Sequence, residues 1–169
     1  FWRFRNLMRQ KSIWLSKMER ACNDGDAKTV KELLFLPGPY RVLKLFPNLI
    51  NIQDSIYGST LAHSAARGGN IEILRVLLSH GMNLNVVDGI GQTPLHYSCT
   101  AGDENFEFTQ CLLTHVVDPA EALRVMNRYD ETPLDKLREA NGPYGLTEKL
   151  MLRYGAVASV SKRGSYGLR

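Results

Sequence analysis

Histidine is the side chain best suited to acid–base work near neutral pH, and two of the four in this chain, His63 and His96, stand 33 residues apart. Each lies three residues after a threonine, Thr60 and Thr93. A catalytic histidine has one place in a molecule. A histidine that returns at a fixed interval does the same job in each unit, so both read as hydrogen-bonding groups that tie a helix start to the adjacent turn. Cys22 and Cys99 fall on helical positions equivalent to that of Ala66, which makes them small core residues, and no neighbouring base marks them as nucleophiles. The chain has no Gly-rich phosphate loop, paired metal-ligand spacing or nucleophile elbow. Catalysis is therefore not expected, and neither a cofactor nor a metal is called for.

The histidines belong to a longer phrase. Asp88 to His96 reads D-G-I-G-Q-T-P-L-H: a tight turn, a threonine that caps the next helix, and a proline that pre-sets its first turn. Gly58-Ser59-Thr60-Leu61-Ala62-His63 repeats it upstream, and Asp130-Glu131-Thr132-Pro133-Leu134-Asp135 repeats it downstream with Asp135 in the place of histidine. The double leucine Leu77-Leu78, with Gly69, Gly102 and Gly81, follows at matching offsets. A period near 33 residues marks a stacked-repeat protein, in which no unit buries its apolar face alone.

These residues resemble the ankyrin repeat, with the best match from Asp54 to Asp88 and a likeness extending over roughly residues 14–156. The resemblance implies an all-α fold, an ankyrin-repeat solenoid of stacked helix-turn-helix units with short β-hairpin fingers. The repeats fall at about 16–53, 54–87, 88–126 and 127–156. Residues 16–36 form a first repeat without a finger, followed by the insertion Leu36-Pro37-Gly38-Pro39 and the apolar run Val42, Leu43, Leu45, Phe46. That insertion either folds back on the repeat edge or stands out as a binding knob. Extra residues at Asp103-Glu104-Asn105 and Asp118-Pro119-Ala120-Glu121 lengthen the third repeat, the latter adding a short helical turn. Asn141-Gly142-Pro143 divides the fourth into two helices and gives it the character of a cap.

The ends differ from the body. Residues 1–15 place Phe1, Phe4, Leu7 and Met8 near helical spacing with Arg3, Arg5, Arg9 and Lys11 among them, a basic amphipathic helix. It packs on the first repeat or a preceding part of a longer chain, serves as a partner or membrane-surface helix, or is a targeting remnant. Packing is favoured, because its aromatic residues are costly to leave in water. Residues 157–169 read as a flexible basic tail. Residues 1–18 and 157–169 together hold eight of the 21 Lys and Arg and none of the 17 acids, so the body between them is acidic by about four despite a net charge of +4. No apolar run is long enough to span a membrane. Three cysteines, an odd number without metal spacing, suit a reducing compartment, the cytoplasm first, with organelle or nucleus as alternatives.

Carried over position by position, the resemblance implies that a partner meets finger residues Ser55, Ile56, Tyr57 and Ser59, then Gly89, Ile90 and Gln92, then Arg128, Tyr129 and Glu131. It implies helix positions Arg67, Thr100 and Glu139, with Tyr97 beside them. Ile56, Tyr57, Ile90 and Tyr129 make an apolar row that either grips a partner or packs finger on finger. The function implied is protein recognition, as an adaptor or scaffold. Two other readings stand beside it: a structural subunit of a ribonucleoprotein or organellar assembly, its basic ends on RNA phosphates or acidic surfaces, and a regulatory ankyrin segment of a longer enzyme. Protein is the favoured partner over nucleic acid.

Overall fold

The computed structural model describes residues 2–35, 49–157 and 159, with side chains from residue 5 onward apart from residue 7. The chain runs through α1 (Trp2–Asn23), α2 (Ala27–Phe35), a 3-10 turn (Leu49–Asn51), α3 (Leu61–Gly68) and α4 (Ile71–Ser79). It continues with α5 (Pro94–Cys99), a 3-10 turn (Gly102–Asn105), α6 (Phe106–His115), α7 (Pro119–Ala122), α8 (Pro133–Asn141) and α9 (Leu146–Arg153). The first helices α1, α3, α5 and α8 pack in one row, each on the next, and the second helices α2, α4, α6 and α9 form a parallel row behind them. Between the rows lies one continuous core, from Trp14 and Met18 through Leu61, Leu74, Leu77 and Leu112 to Leu137 and Met151.

Each first helix after α1 starts by the same device. The N–H of Thr60 donates to His63 Nδ1 at 3.0 Å, that of Thr93 to His96 Nδ1 at 3.1 Å, and that of Thr132 to Asp135 Oδ2 at 2.9 Å. A side chain at the third helical position thus reaches back to an otherwise orphaned donor, the reciprocal cap of a helix start. Because Nδ1 accepts, the ring proton sits on Nε2. There it donates to the carbonyl of Gln92 from His63 (3.1 Å) and of Glu131 from His96 (3.0 Å), each in the following unit. The histidines are hydrogen-bonding groups at a helix start, as their spacing predicts, and through Nε2 they also tie each unit to the next. In the fourth unit Asp135 has no such reach, and its carboxylate instead accepts the N–H of Ser159 at 3.1 Å.

The expected β-hairpins are not formed, since the described residues contain no strand. Each finger is a tight loop closed around one side chain. Asp54, Asp88 and Asn127 take the loop N–H groups that would otherwise enter a ladder.

Helix α1 crosses residues 15 and 16 without a break, so the basic N-terminal stretch and the first repeat share one helix. Trp14 and Met18 are fully buried, and Trp14 Nε1 donates to the Leu33 carbonyl at 3.1 Å. Packing is therefore what this part of the stretch does. Phe1 and the side chains of Phe4 and Leu7 lie outside the described residues, as do the inserted residues 36–48 and the tail from 160 onward. Leu49 and Ile50, at the end of the insertion, are buried in the core, and so is Ser159 near the start of the tail. The lengthened parts of the third repeat are accounted for. Asp103 caps α9, accepting from the N–H groups of Leu146 (3.0 Å) and Thr147 (2.8 Å), and Asp118 caps the short α7.

Candidate partner-binding groove

A loop of five or so residues has more N–H donors than its own carbonyls can take. Asp54 Oδ1 accepts from Ile56 and Tyr57, and its Oδ2 from Ser59, all at 2.7–2.8 Å. Burial pushes its carboxyl upward, but those donors outweigh it and hold the group below the usual carboxylate range. Asp88 Oδ1 accepts from Ile90 and Gln92, and its Oδ2 from the Tyr97 hydroxyl at 2.7 Å. Asn127 does the same for Tyr129 and Glu131 with a neutral amide.

Neighbouring loops are then clipped together through their main chains. The Gly89 N–H donates to the Tyr57 carbonyl (2.6 Å) and the Arg128 N–H to the Ile90 carbonyl (2.9 Å). A Cβ on Gly89 would stand 2.8 Å from that carbonyl oxygen, so glycine is required for the approach. These finger-on-finger bonds are made by backbone, which leaves the side chains at the loop tips outside. Ile56 is 80% exposed, Tyr57 72% and Tyr129 63%, while Ile90 is half-buried.

Behind the fingers the floor is built on Tyr97. Its hydroxyl is held by Asp88, its ring meets His63 edge-on at 5.8 Å, and the Arg67 guanidinium lies 4.8 Å above it. Burial and the bond to Asp88 raise the Tyr97 hydroxyl above its ordinary pKa. The far wall is α1, where Met8, Lys11, Ser12, Leu15 and Glu19 share one face at helical spacing. Together these elements enclose a groove of about 1140 Å³. Burial, then the nearby Asp54, raises the Glu19 carboxyl above its ordinary pKa.

Of the residues expected to meet a partner, Ser55, Ile56, Tyr57, Ser59, Arg67, Gly89, Ile90, Tyr97 and Arg128 line this groove. Tyr129, Thr100 and Glu139 are exposed but do not line it, and Glu139 pairs with Lys136 at 3.0 Å. Gln92 and Glu131 point inward and are buried. Glu131 accepts from Asn127 Nδ2 (2.9 Å) and pairs with Lys136 (2.7 Å). Desolvation works against the Lys136 charge, but the bonds to Glu131 and Glu139 raise its pKa overall. Sequence reasoning did not see the α1 wall. Its signal is the face 8, 12, 15, 19, which continues the buried helix past the point where a finger would stand. Cys22 and Cys99 are fully buried, and burial pushes both thiols up to about 12, so neither is a thiolate near neutrality.

Two rows of helices joined through capped, clipped loops define a stacked helix-pair repeat protein. A family model described as "Ankyrin repeats (3 copies)" matches residues 18–121. The chain belongs to the ankyrin-repeat family, whose repeats generally mediate protein–protein interaction and are typically non-catalytic. It is 42% identical over 65 residues to an ankyrin repeat and LEM domain-containing protein 1 homolog of Caenorhabditis elegans, covering 37% of this chain and 9% of that protein. It is 41% identical over 58 residues to the NF-kappa-B inhibitor cactus of Drosophila melanogaster, covering 32% and 12%. It is also 30% identical over 118 residues to the SMC5-SMC6 complex localization factor protein 1 of Bos taurus, covering 68% and 10%. The matched stretch thus spans about a tenth of each of these relatives. Among the described residues no helix is long and apolar enough to cross a membrane.

Proposed function

We propose that this module is an adaptor or scaffold that seats a segment of a partner protein in the groove between α1 and the finger loops. The observation that carries the reading is the exposure of Ile56 and Tyr57, which line that groove, on loops clipped to their neighbours through main-chain bonds. Exposed aromatic side chains on a rigid frame are the type of residue that anchors an interface. The relatives named as an inhibitor of NF-kappa-B and as a localization factor of a complex lend support to a protein-directed role. The test is a pull-down with the Tyr57→Ala, Ile90→Ala, Tyr129→Glu triple variant. Partners should be lost while the helical circular dichroism stays unchanged. Partners retained equally by wild type and variant would refute the reading.

We also assign the module to a reducing compartment, the cytoplasm first, on its three free thiols. Recovery of the full-length protein from a secreted fraction with its cysteines oxidised would overturn that assignment.

A further inference from the structure

A second cavity lies between the links that lead from one unit to the next, and it shares no lining residue with the groove. Eight residues, 80–87, join α4 to the finger at Asp88, whereas eleven, 116–126, join α6 to the finger at Asn127. The longer link carries the inserted Asp118-Pro119-Ala120-Glu121, which Asp118 folds into α7 by accepting the Glu121 N–H at 3.0 Å. Residues 116–125 and 84–87 then form two walls beside the start of α5, with Leu84, Leu95 and Leu112 as a buried floor. The space is about 320 Å³, enough for an aromatic or branched aliphatic side chain and at the lower end of the roughly 300–1,000 Å³ of ligand sites. Its charge has one sign. Among the described residues that line it, Asp118 and Glu121 carry the charge, both are exposed, and none is Lys, Arg or His. Glu121 takes part in none of the ion pairs among the described residues, and Arg124, three residues on, does not line the cavity. Beside the acids, Val117 is 89% exposed and Val87 46%.

We infer that this cavity is a second docking site, which takes a short segment of a partner protein carrying an apolar anchor side chain with Lys or Arg beside it. The anchor rests on Leu84, Leu95 and Leu112, the cation meets Glu121 and Asp118, and the flanking residues cover Val87 and Val117. A free organic amine would fill the floor and leave those two valines in water, so a chain segment fits better. Nucleic-acid phosphates and anionic headgroups would meet two carboxylates of their own sign. The site is a product of the insertion in the third repeat, since the shorter link after α4 has no counterpart of α7. It stands whether or not the groove is used, because the two are built from different residues.

The experiment is fluorescence anisotropy on the full chain with a labelled dodecapeptide in which phenylalanine and leucine stand between lysines. A second peptide replaces the lysines by glutamate, and a third replaces phenylalanine and leucine by serine. The first should bind about fivefold or more tighter than either of the others, and salt should narrow its lead over the glutamate peptide. Glu121→Lys should weaken it by about threefold or more and turn the preference toward the glutamate peptide. Val117→Ser should weaken both. These two side chains are exposed, so the variants should keep the wild-type circular dichroism. The Tyr57→Ala, Ile90→Ala, Tyr129→Glu variant should bind the lysine peptide as wild type does, which separates this site from the groove. Equal binding of lysine and glutamate peptides, no binding of the lysine peptide at about 1 mM, or a Glu121→Lys variant without effect would each overturn the inference. So would loss of binding in the finger variant, tighter binding of a twelve-nucleotide uridine RNA, or displacement of the peptide by an equal concentration of phenethylamine. Self-association of the chain that Glu121→Lys abolishes would put a second copy there instead.

Discussion

At the residue scale, the histidines work because they are neutral. His96 is fully buried, and desolvation brings its pKa down to about 4; His63 is shifted in the same direction for the same reason. A proton on Nδ1 would point at the Thr93 N–H that this nitrogen now accepts. In the unfolded chain the group titrates near 6.5, so between about pH 6.5 and 4 the unfolded state binds more protons than the native one. The stability His96 confers is whole above that window and lost as pH falls through it, about 3 kcal/mol in all, with His63 adding to the loss. Urea denaturation at stepped pH should show this decline, and it should be smaller in His96→Asn. Asp88 offers a second prediction. Asp88→Ala strands two loop N–H groups and the Tyr97 hydroxyl and should cost about 2–4 kcal/mol, whereas Asp88→Asn, which copies Asn127, should cost about 1 kcal/mol. Thermal melts of the two variants would separate these values. The histidine role was legible because it recurs in register. The inward turn of Gln92 and Glu131 was not, because a glutamate in a loop gives no sign that Asn127 and Lys136 will meet it.

At the scale of the element, packing distance between the first helices decides what the chain tolerates. A Cβ on Gly68 would stand 2.0 Å from the Cys22 carbonyl oxygen, so α1 and α3 touch through backbone there. Gly68→Ala should force the helices apart and cost about 1–3 kcal/mol, visible as a lowered urea midpoint. Trp14→Ala removes the anchor of α1 together with its bond to Leu33, and about 3–5 kcal/mol is expected from equilibrium unfolding. The helix starts at Thr60, Thr93 and Thr132 were readable because caps are local chemistry. The unbroken course of α1 and the capping of α9 by Asp103 were not. The first needs to know that no finger interrupts residues 2–23, and the second joins residues 43 and 44 positions apart.

At the scale of the whole molecule, stability is shared between neighbours rather than pooled. Each unit leans on the ones beside it, so the inner pairs have two supports and the terminal pair α8–α9 has one among the described residues. Amide hydrogen exchange should therefore be slowest in α3–α5 and faster in α9, and Met151→Ala should accelerate exchange in α8 and α9 while barely touching α4. Uniform acceleration across the chain would contradict this one-dimensional picture. The stack was visible in the period of the sequence, yet the groove was not, since its walls come from residues 8–19 and 52–128 and meet only in three dimensions. Main-chain clips between successive loops have one more consequence. The interval between display positions is set by atoms every amino acid shares, so Ile56, Tyr57 or Tyr129 can be exchanged over evolutionary time, and recognition rewritten, without redrawing the template that presents them.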